Sequence, residues 1–540
     1  MMQYEKRNDN NYILGRADIM KKYIKHHMGL LGVGIVLSLA EAFTNIILAF
    51  SMGNLSNAAV NQDIQYLFTQ GGISVICLIL ILLFQILEVC TRKLFAKKCI
   101  TDLKCEVYQS ILGSKQSEFH KLSESYYMNL LQADIDTIYR DFFSTIGRIV
   151  GYALEIVISA VALIFVSVKI FVIFILVSSL PPIVLNLLKK RMMKVRERYS
   201  YSAEHYVKAM KEFIQGIDTI TFFQKQRIFF ARILQEDENL EQARMENDVY
   251  DSGGLAISRS VGMIAHICCM IAAAYFIVKD HMEIGVLITS TQLLNFIFSP
   301  FNVMNSQIAS LRSTKVIRDK FEQVLSLEGD TAEEPYCEGD IVFDDVTLAY
   351  GEKILFEHLS YTFERGKKYA IIGKSGAGKT SIAKALTKFI TPECGSIRVE
   401  NKEISGISRD SLLKNILYVP QSAFLFFGSV IENITLFTEN EKAYEIGKCV
   451  GLPNEILQKN QVGDMGTEVS GGERQRISVA RAILCDPDVY IFDEPTSGLD
   501  PTMALHIEKY ILDIKDKTVI VITHNWDKKN LERFDGVIKL

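Results

Sequence analysis

Long apolar runs dominate the first three hundred residues of the chain, and shorter alternating runs follow them. A helix needs about 20 apolar residues to cross a hydrocarbon core of about 30 Å at 1.5 Å per residue. Runs of that length lie near residues 28–52, 71–90, 149–168, 169–188, 260–278 and 284–304. The pattern predicts an all-α region with six membrane-spanning helices.

The charges between these runs predict how the helices are oriented. The polar stretch 54–70, between the first and second runs, contains no Lys or Arg. The connections between the third and fourth runs and between the fifth and sixth runs hold only Lys169 and Lys279. Basic residues are concentrated instead in the long connections 91–148 and 189–259. By the positive-inside rule these connections and the N-terminus are cytoplasmic. They contain few Gly or Pro residues, so we expect the helices to continue into the cytoplasm.

Two carboxylates, Glu41 and Glu155, lie well inside predicted membrane spans. A carboxylate in lipid is costly unless it is protonated, paired or facing water. Two interpretations remain open at this point. The residues line a polar translocation pathway, or each forms a hydrogen bond to a neighbouring helix.

The pattern changes after an acidic, turn-rich connector at residues 328–340. Short β-rich runs then alternate with helical stretches, which is typical of an α/β domain with a parallel sheet. We therefore expect a transmembrane domain at 1–327, a linker at 328–340 and an α/β domain at 341–540. Residues 1–330 carry a formal charge of +3 and the remainder −7, which argues against nucleic acid as a partner.

A glycine-rich segment follows the apolar run 368–372 and precedes a helical stretch. Its sequence is Gly373-Lys374-Ser375-Gly376-Ala377-Gly378-Lys379-Thr380, and Ser381 opens the helix. Glycines let such a loop wrap closely around phosphate, and its N–H groups with the helix N-terminus supply positive potential. Lys379 would reach the terminal phosphates, and the Thr380 hydroxyl would bind Mg²⁺. These nine residues are predicted to bind a nucleotide.

Two further motifs support this prediction. The apolar run 489–492 ends in Asp493 and Glu494, where the first carboxylate can hold Mg²⁺ and the second can orient the attacking water. The turn Ser470-Gly471-Gly472 opens a strongly helical segment and offers a second set of N–H groups to an anion. Since one loop already holds the nucleotide, we expect this turn to serve a nucleotide bound by another subunit.

Together these elements resemble an ATP-binding cassette (ABC) half-transporter of the exporter fold, with six membrane helices fused to one ATPase domain. The resemblance implies that Ser470-Gly471-Gly472 is the signature motif, which completes the ATP site of the opposing subunit. It also implies roles for residues that would be unremarkable alone. Those are Tyr350 stacking on adenine, Gln421 in the Q-loop touching Mg²⁺, Ser497-Gly498-Leu499-Asp500 as the D-loop, 462–466 as the exporter cross-linking loop, and His524 as the switch histidine that contacts the γ-phosphate.

By this resemblance, residues 118–124 and 221–229 are expected at the coupling helices, and Phe222 and Phe223 could supply an apolar plug there. ATP and Mg²⁺ are the implied cofactors, and Glu494, His524 and Gln421 the catalytic residues. The implied function is ATP-driven export of a peptide, lipid or amphipathic small molecule by alternating access. A second half-transporter is required, with a homodimer favoured and a heterodimer possible, and the expected location is a prokaryotic plasma membrane. Uptake of a metal chelate and a sensing ATPase remain alternatives.

Overall fold

The computed structural model describes residues 19–178, 180–279, 282–350, 353–374, 376–463, 466–524 and 531–540. The chain divides into two compact units, here called the helical unit and the α/β unit. The helical unit comprises the residues up to Cys105 together with Met128–Glu322. The α/β unit comprises Glu106–Tyr127 and Gln323–Leu540. The segment Glu106–Tyr127, which includes the end of a long helix, is thus part of the α/β unit although it interrupts the helical unit in sequence.

Thirteen helices are described before the first strand. They are α1 (Ile19–His26), α2 (Met28–Val60), α3 (Ile64–Gly113), α4 (Gln116–Phe119), α5 (Glu124–Asn129), α6 (Ile135–Thr137), α7 (Ser144–Val166), α8 (Val168–Ser178), α9 (Leu180–Gln215), α10 (Ile217–Phe222), α11 (Gln226–Lys279), α12 (Gly285–Ser313) and α13 (Lys315–Leu325). Two π-helical segments, Leu130–Asp134 and Ile138–Phe143, flank α6. The predicted helical N-terminal region is confirmed.

Five helical stretches among the described residues are long and apolar enough to cross a membrane. They are Met28–Val60, Ile64–Gly113, Glu124–Val166, Gln226–Lys279 and Gly285–Leu325. The predicted span 169–188 covers parts of α8 and α9 and residue 179, which is outside the described residues. The long helices α3, α9 and α11 extend well beyond the predicted spans, as the apolar-polar pattern of the connections indicates.

Small residues allow the helices of the helical unit to approach closely. A Cβ atom at Gly53 of α2 would overlap Thr289 of α12, and a Cβ at Gly285 would overlap the backbone of Gly53. Close backbone approach through small residues is a common way to pack helices in lipid, where no hydrophobic force drives them together. Helices α2, α7 and α12 pack on one another in this way, and α9 packs along α11.

After α13, nine strands and seven α-helices of the α/β unit are described. The strands are β1 (Ile341–Tyr350), β2 (Lys353–Phe363), β3 (Lys368–Ile372), β4 (Cys394–Val399), β5 (Lys402–Glu403), β6 (Ile416–Val419), β7 (Val489–Asp493), β8 (Thr518–Thr523) and β9 (Gly536–Lys539). The helices are α14 (Lys379–Leu386), α15 (Arg409–Asn415), α16 (Val430–Thr435), α17 (Ala443–Cys449), α18 (Asn454–Leu457), α19 (Gly471–Cys485) and α20 (Pro501–Leu512).

Two sheets organise this unit. One is antiparallel in the order β2-β1-β4-β5, and the other is parallel in the order β6-β7-β8-β3-β9. Successive side chains of a strand point to opposite faces. On β7, Val489 and Ile491 therefore join the core shared with the antiparallel sheet, whereas Tyr490 and Phe492 join the core under α16 to α20. The predicted parallel α/β sheet is confirmed, and its carboxyl edge is where ligands bind in such sheets.

Candidate nucleotide-binding site

The glycine-rich loop joins β3 to α14, as the sequence predicts. Gly376 has φ +82° and Gly378 has φ +88°, both in the left-handed region that favours glycine. A Cβ atom at Gly378 would lie 3.1 Å from Cδ1 of Phe356, whereas the space around Gly376 is open. The loop can therefore present its backbone directly to a ligand. Ser375 lies outside the described residues.

Lys379 is buried at the start of α14, with its ammonium group held against the loop. Its Nζ donates to the carbonyl oxygens of Gly373 at 2.8 Å and Lys374 at 3.1 Å. Burial lowers the pKa of this ammonium group, and the carboxylates of Glu494 and Asp493 partly oppose the shift. The local field is thus arranged for additional negative charge, which a polyphosphate would supply.

The next residue, Thr380, meets the end of β7. Its hydroxyl donates to Oδ2 of Asp493 at 2.8 Å, and the hydroxyl of Tyr418 at the end of β6 donates to the same oxygen at 3.0 Å. Burial, reinforced by the charge of Asp493, raises the pKa of Tyr418 and keeps this group a donor. A hydroxyl and a carboxylate oxygen are ligands that Mg²⁺ prefers. The pair Thr380 and Asp493 therefore fits a magnesium ion.

Glu494 follows in a left-handed conformation, with φ +47°. Such a conformation costs a non-glycine residue about 1–2 kcal/mol, and the bond from its N–H to the Ile522 carbonyl at 2.8 Å helps to hold it. Its carboxylate accepts a hydrogen bond from Nε2 of Gln421 at 2.6 Å and lies 3.0 Å from Nε2 of His524. The strained turn brings the carboxylate to two residues far away in sequence.

The histidine links this carboxylate to the loop lysine. An ammonium group only donates, so the His524 nitrogen that bonds to Lys379 accepts; Lys379 Nζ lies 3.1 Å from Nδ1 and 3.0 Å from Nε2 of the ring. Nε2 also lies 3.0 Å from Oε1 of Glu494, so the ring stands between the lysine and the carboxylate. Lys379, Thr380, Gln421, Asp493, Glu494 and His524 thus form one connected set, called here the P-loop cluster.

The turn Ser470-Gly471-Gly472, called here the signature turn, forms a capping box with Glu473 at the start of α19. Ser470 caps α19, where its Oγ accepts from the N–H of Glu473 at 3.2 Å and its own N–H donates to the Glu473 carboxylate at 2.7 Å. A Cβ atom at Gly472 would lie 3.0 Å from Cδ2 of Leu499 in the predicted D-loop, whereas Gly471 has open space beside it. Among the described residues, no hydrogen bond links the signature turn to the P-loop cluster.

Other predicted residues occupy less informative positions. Tyr350 ends β1, but its side chain is outside the described set. In the predicted D-loop, Asp500 caps α20 by accepting from the N–H of Met503 at 3.0 Å, a bond that lowers its pKa. Residues 464 and 465 of the predicted cross-linking loop lie outside the described residues.

Sequence reasoning missed a second set of residues, called here the Asp330 cluster: Asp330, Lys388 and Arg409. The Asp330 carboxylate accepts from Lys388 Nζ at 3.0 Å and from the N–H of Arg409 at 2.7 Å. Burial raises the pKa of Asp330, but these donors outweigh it and leave the pKa below its ordinary value. The available sequence signal for this cluster was the position of Lys388, two residues after the end of α14, the helix that the glycine-rich loop precedes.

The Asp330 cluster also contacts the segment Glu106–Tyr127. The Arg409 guanidinium donates to the Ser114 carbonyl at 2.6 Å and to the side chain of Gln116 at 3.3 Å. Lys115 and Glu328 add a backbone hydrogen bond at 2.8 Å and an exposed ion pair at 3.1 Å. The connection between α3 and α5 is therefore bonded to the linker and to α15.

A short helix overlaps each of the two segments in which the family resemblance implies coupling helices, and that role stays a prediction. Residues 118–124 span the end of α4 and the start of α5, and residues 221–229 span the end of α10 and the start of α11. Phe222 and Phe223 are 82% and 71% exposed, so neither plugs a groove within the described part of this chain.

The two intramembrane carboxylates both bond to amide groups of neighbouring helices. Glu41 of α2 accepts from Gln85 of α3 at 2.8 Å, and Glu155 of α7 accepts from Asn45 of α2 at 3.1 Å. These are the contacts expected of helix-packing residues. A role in a translocation pathway stays a prediction.

Comparison with known families and structures agrees with the geometry. Residues 31–301 match the family described as ABC transporter transmembrane region, and residues 356–497 match the family described as ABC transporter. A bacterial Atm1-family ABC exporter, solved with ATP bound, superposes with a TM-score of 0.76 over 97% of this chain and 94% of that one. Its sequence is 18% identical, so it shows the fold.

Among curated relatives, the lactococcin-G-processing and transport ATP-binding protein LagD of Lactococcus lactis is 28% identical over 331 residues, which are 58% of this chain and 47% of that protein. The mitochondrial iron-sulfur clusters transporter ABCB7 of Homo sapiens is 33% identical over 291 residues, 49% of this chain and 37% of that one. The ABC transporter ATP-binding protein YknU of Bacillus subtilis is 23% identical over 450 residues, covering 80% and 77%.

The alignments with LagD and ABCB7 cover less than half the length of those relatives. The family assignment comes from the transmembrane-region match, which extends over half of the chain, together with the ATPase match that follows it. This protein therefore belongs to the ABC transporter family, with the transmembrane region and the ATPase domain fused in one chain.

Proposed function

We propose that this chain is one half of an ATP-driven exporter that moves a peptide, lipid or amphipathic small molecule by alternating access. The observation that carries the proposal is the pairing of a complete P-loop cluster with a signature turn that forms no hydrogen bond to it among the described residues. Such a chain holds a nucleotide by one face and needs a second copy to cover it. Membership in the ABC transporter family supports the same conclusion.

The P-loop cluster supports ATP hydrolysis. Bound ATP and Mg²⁺ would supply the γ-phosphate and the cation that polarises it, with Thr380 and Asp493 holding the metal and Gln421 beside it. Lys379 and the loop N–H groups would bind the phosphates. Glu494 would orient the attacking water and accept its proton, because its carboxylate is held by Gln421 and His524. His524 would fix that carboxylate relative to Lys379.

The Asp330 cluster supports coupling between hydrolysis and transport. Lys388 follows α14, the helix that carries Lys379 and Thr380. The Arg409 guanidinium donates hydrogen bonds to the segment 114–116, which follows α3. A displacement of α14 on closure would therefore be transmitted through Asp330 to that segment. Charge-assisted hydrogen bonds link Lys388 to Asp330 and Arg409 to the segment 114–116, and such bonds are roughly twice as strong as neutral ones.

A dimer is part of the proposal, and we favour a homodimer because every catalytic position of this chain is filled. A heterodimer with a degenerate partner would leave the same sequence here. The mass of the purified complex distinguishes the two. We place the N-terminus and the ATPase domain in the cytoplasm and the helices in a plasma membrane.

Transport by the chain reconstituted in liposomes tests the proposal. In vesicles with the ATPase domain outside, added ATP drives an exporter to accumulate its substrate inside, whereas an importer of a metal chelate would move preloaded chelate out of the vesicle. ATP hydrolysis that no solute stimulates and that moves nothing would favour a sensing ATPase. A screen for solutes that raise the ATPase rate supplies the substrate candidates.

The intramembrane carboxylates provide a narrower test of the same mechanism. If they line the pathway, the pair of substitutions Glu41→Gln and Glu155→Gln changes transport and solute-stimulated hydrolysis. Asp63→Asn, in the connection between α2 and α3, is the matched control, because it removes a carboxylate outside the predicted spans. Unchanged transport and stimulation in the double variant would restrict Glu41 and Glu155 to helix packing.

A further inference from the structure

Two adjacent histidines and an aspartate meet at the cytoplasmic end of the helical unit. His26 ends α1, His27 lies in the break between α1 and α2, and Asp102 lies on the extension of α3. His27 Nε2 is 3.0 Å from Asp102 Oδ2. One candidate ligand atom from each of the three residues lies within 4.8 Å of the other two.

The helix break is what brings the two rings together. Consecutive residues of an α-helix do not face each other, because they are rotated by about 100°. His27 leaves the helical conformation with φ −113° and ψ 24°, and the two imidazole rings then lie with centroids 4.7 Å apart at an interplanar angle of 83°. Both rings can thus point their nitrogens to a common position.

The donor set fits a borderline divalent cation. Imidazole nitrogen with one carboxylate oxygen suits Zn²⁺, Co²⁺ or Ni²⁺, whereas Mg²⁺ and Ca²⁺ prefer oxygen ligands alone. Bonds of about 2.0–2.1 Å in a tetrahedron separate ligand atoms by roughly 3.4 Å. The His27 and Asp102 atoms are already within that separation. The candidate ligand atom of His26 lies within 4.8 Å of both, so this exposed side chain must rotate toward them to complete the set.

A histidine-aspartate ion pair alone would account for only two of the three residues. His27 and Asp102 have 14% and 42% of their side chains exposed, so the pair lies at the surface and a cation can reach it. The neighbouring α1 is basic, with Lys21, Lys22 and Lys25. That charge opposes cation binding, and the Asp102 carboxylate partly offsets it.

We propose that His26, His27 and Asp102 form a binding site for a divalent transition metal of the Zn²⁺ type, with a fourth position open to water. The metal joins the α1–α2 junction to α3 and so fixes the N-terminal helix against the cytoplasmic extension of α3. The site is independent of the nucleotide site and of the proposed transport function.

Cobalt absorption tests the proposal on the full chain in detergent, without nucleotide. Tetrahedral Co²⁺ has visible d–d bands, and we expect one Co²⁺ per chain that Zn²⁺ displaces and Mg²⁺ does not. His26→Asn and Asp102→Asn should each weaken binding by on the order of tenfold to a hundredfold or more. His205→Asn, at an exposed histidine of α9, is the matched control and should bind as the wild type does.

A replacement that keeps a ligand makes the test independent of folding. Asp102→His supplies a third imidazole, so it should retain stoichiometric Co²⁺ with shifted bands. Zn²⁺ should also slow amide hydrogen exchange in α1 of the wild type but not of Asp102→Asn. The proposal is overturned by Co²⁺ binding that persists unchanged in His26→Asn and Asp102→Asn, by intense sulfur charge-transfer bands, or by no stoichiometric binding.

Discussion

The P-loop cluster and the signature turn are both predicted anion sites at the start of a helix, yet the chain builds them differently. The P-loop cluster gathers a cation, a hydroxyl-carboxylate pair that fits a metal ion and an oriented carboxylate from α14 and the carboxyl ends of β6, β7 and β8. The signature turn has no basic side chain in its own cap, and the Glu473 carboxylate occupies the Ser470 N–H. On the proposed function, the first site carries out the chemistry, and the second covers a nucleotide that the partner's P-loop cluster holds.

The largest expected effect is at the carboxylate of the P-loop cluster. Glu494→Gln should lower ATP hydrolysis by on the order of 10²- to 10⁴-fold, because a general base contributes about that factor. ATP binding should survive, since Lys379 and the loop are intact, so ATP-bound dimers should accumulate. Steady-state phosphate release measures the loss, and Glu441→Gln, at an exposed loop position, is the control. Vigorous turnover by Glu494→Gln would contradict the assignment.

The second effect tests whether the two sites belong to different chains. In the Glu494→Gln background, Ser470→Arg and Lys379→Ala should each abolish ATP trapping, because each damages both composite sites of a homodimer. A mixed dimer of the two variants has one composite site with both motifs intact. We expect one trapped ATP per mixed dimer, counted with labelled ATP. Mixed dimers that form and yet trap none would mean that Ser470 does not act on the partner's nucleotide.

A smaller effect is expected at the Asp330 cluster, which neither anion site includes. Asp330→Asn leaves Lys388 without its half-buried ionic partner and should cost about 2 kcal/mol, or roughly 4–8 °C in Tm of the α/β unit. Hydrolysis should fall less than solute transport if this cluster couples them. Differential scanning calorimetry measures the Tm shift. Transport and ATPase assays on the same preparation measure the two losses of activity. Equal losses of hydrolysis and transport would argue against coupling.

The pH dependence of the same variant follows from the lowered pKa of Asp330. A carboxyl group with a depressed folded-state pKa contributes stability above its unfolded pKa of about 3.9 and loses it as pH falls through the folded value. The Tm difference between wild type and Asp330→Asn should therefore be constant from pH 7 to pH 5 and shrink below about pH 4. A difference that disappears already at pH 6 would exclude this ion pair as its source.

The smallest effect sharpens the description of the signature turn. Glu473→Gln keeps a side chain that can cap Ser470 but removes the negative charge beside the position of a bound triphosphate. A charge at a helix N-terminus is worth about 0.3–1 kcal/mol, so the apparent affinity for ATP should rise by roughly two- to fivefold. Nucleotide titration of wild type and variant measures it, and weaker binding by the variant would show that the carboxylate assists rather than opposes the ligand.

Much of the candidate site was predictable because its residues follow local rules. A strand, a glycine-rich turn and a helix in succession predict the P-loop, and acidic residues at the end of an apolar run predict a metal-binding strand end. Gln421 and His524 became interpretable only through the family pattern, since a lone glutamine or histidine carries no spacing signal. The structure places both next to Glu494.

The sequence by itself determined the class of the chain: long apolar runs that must be helices in lipid, an α/β domain after them, and the order of the nucleotide motifs. Only the tertiary structure decided which distant groups meet, such as Tyr418 with Asp493, Asp330 with Lys388 and Arg409, and His26 and His27 with Asp102. Periodicity and turn chemistry are set by neighbours along the chain, whereas these contacts depend on how sheets and helices pack across 58 to 79 positions.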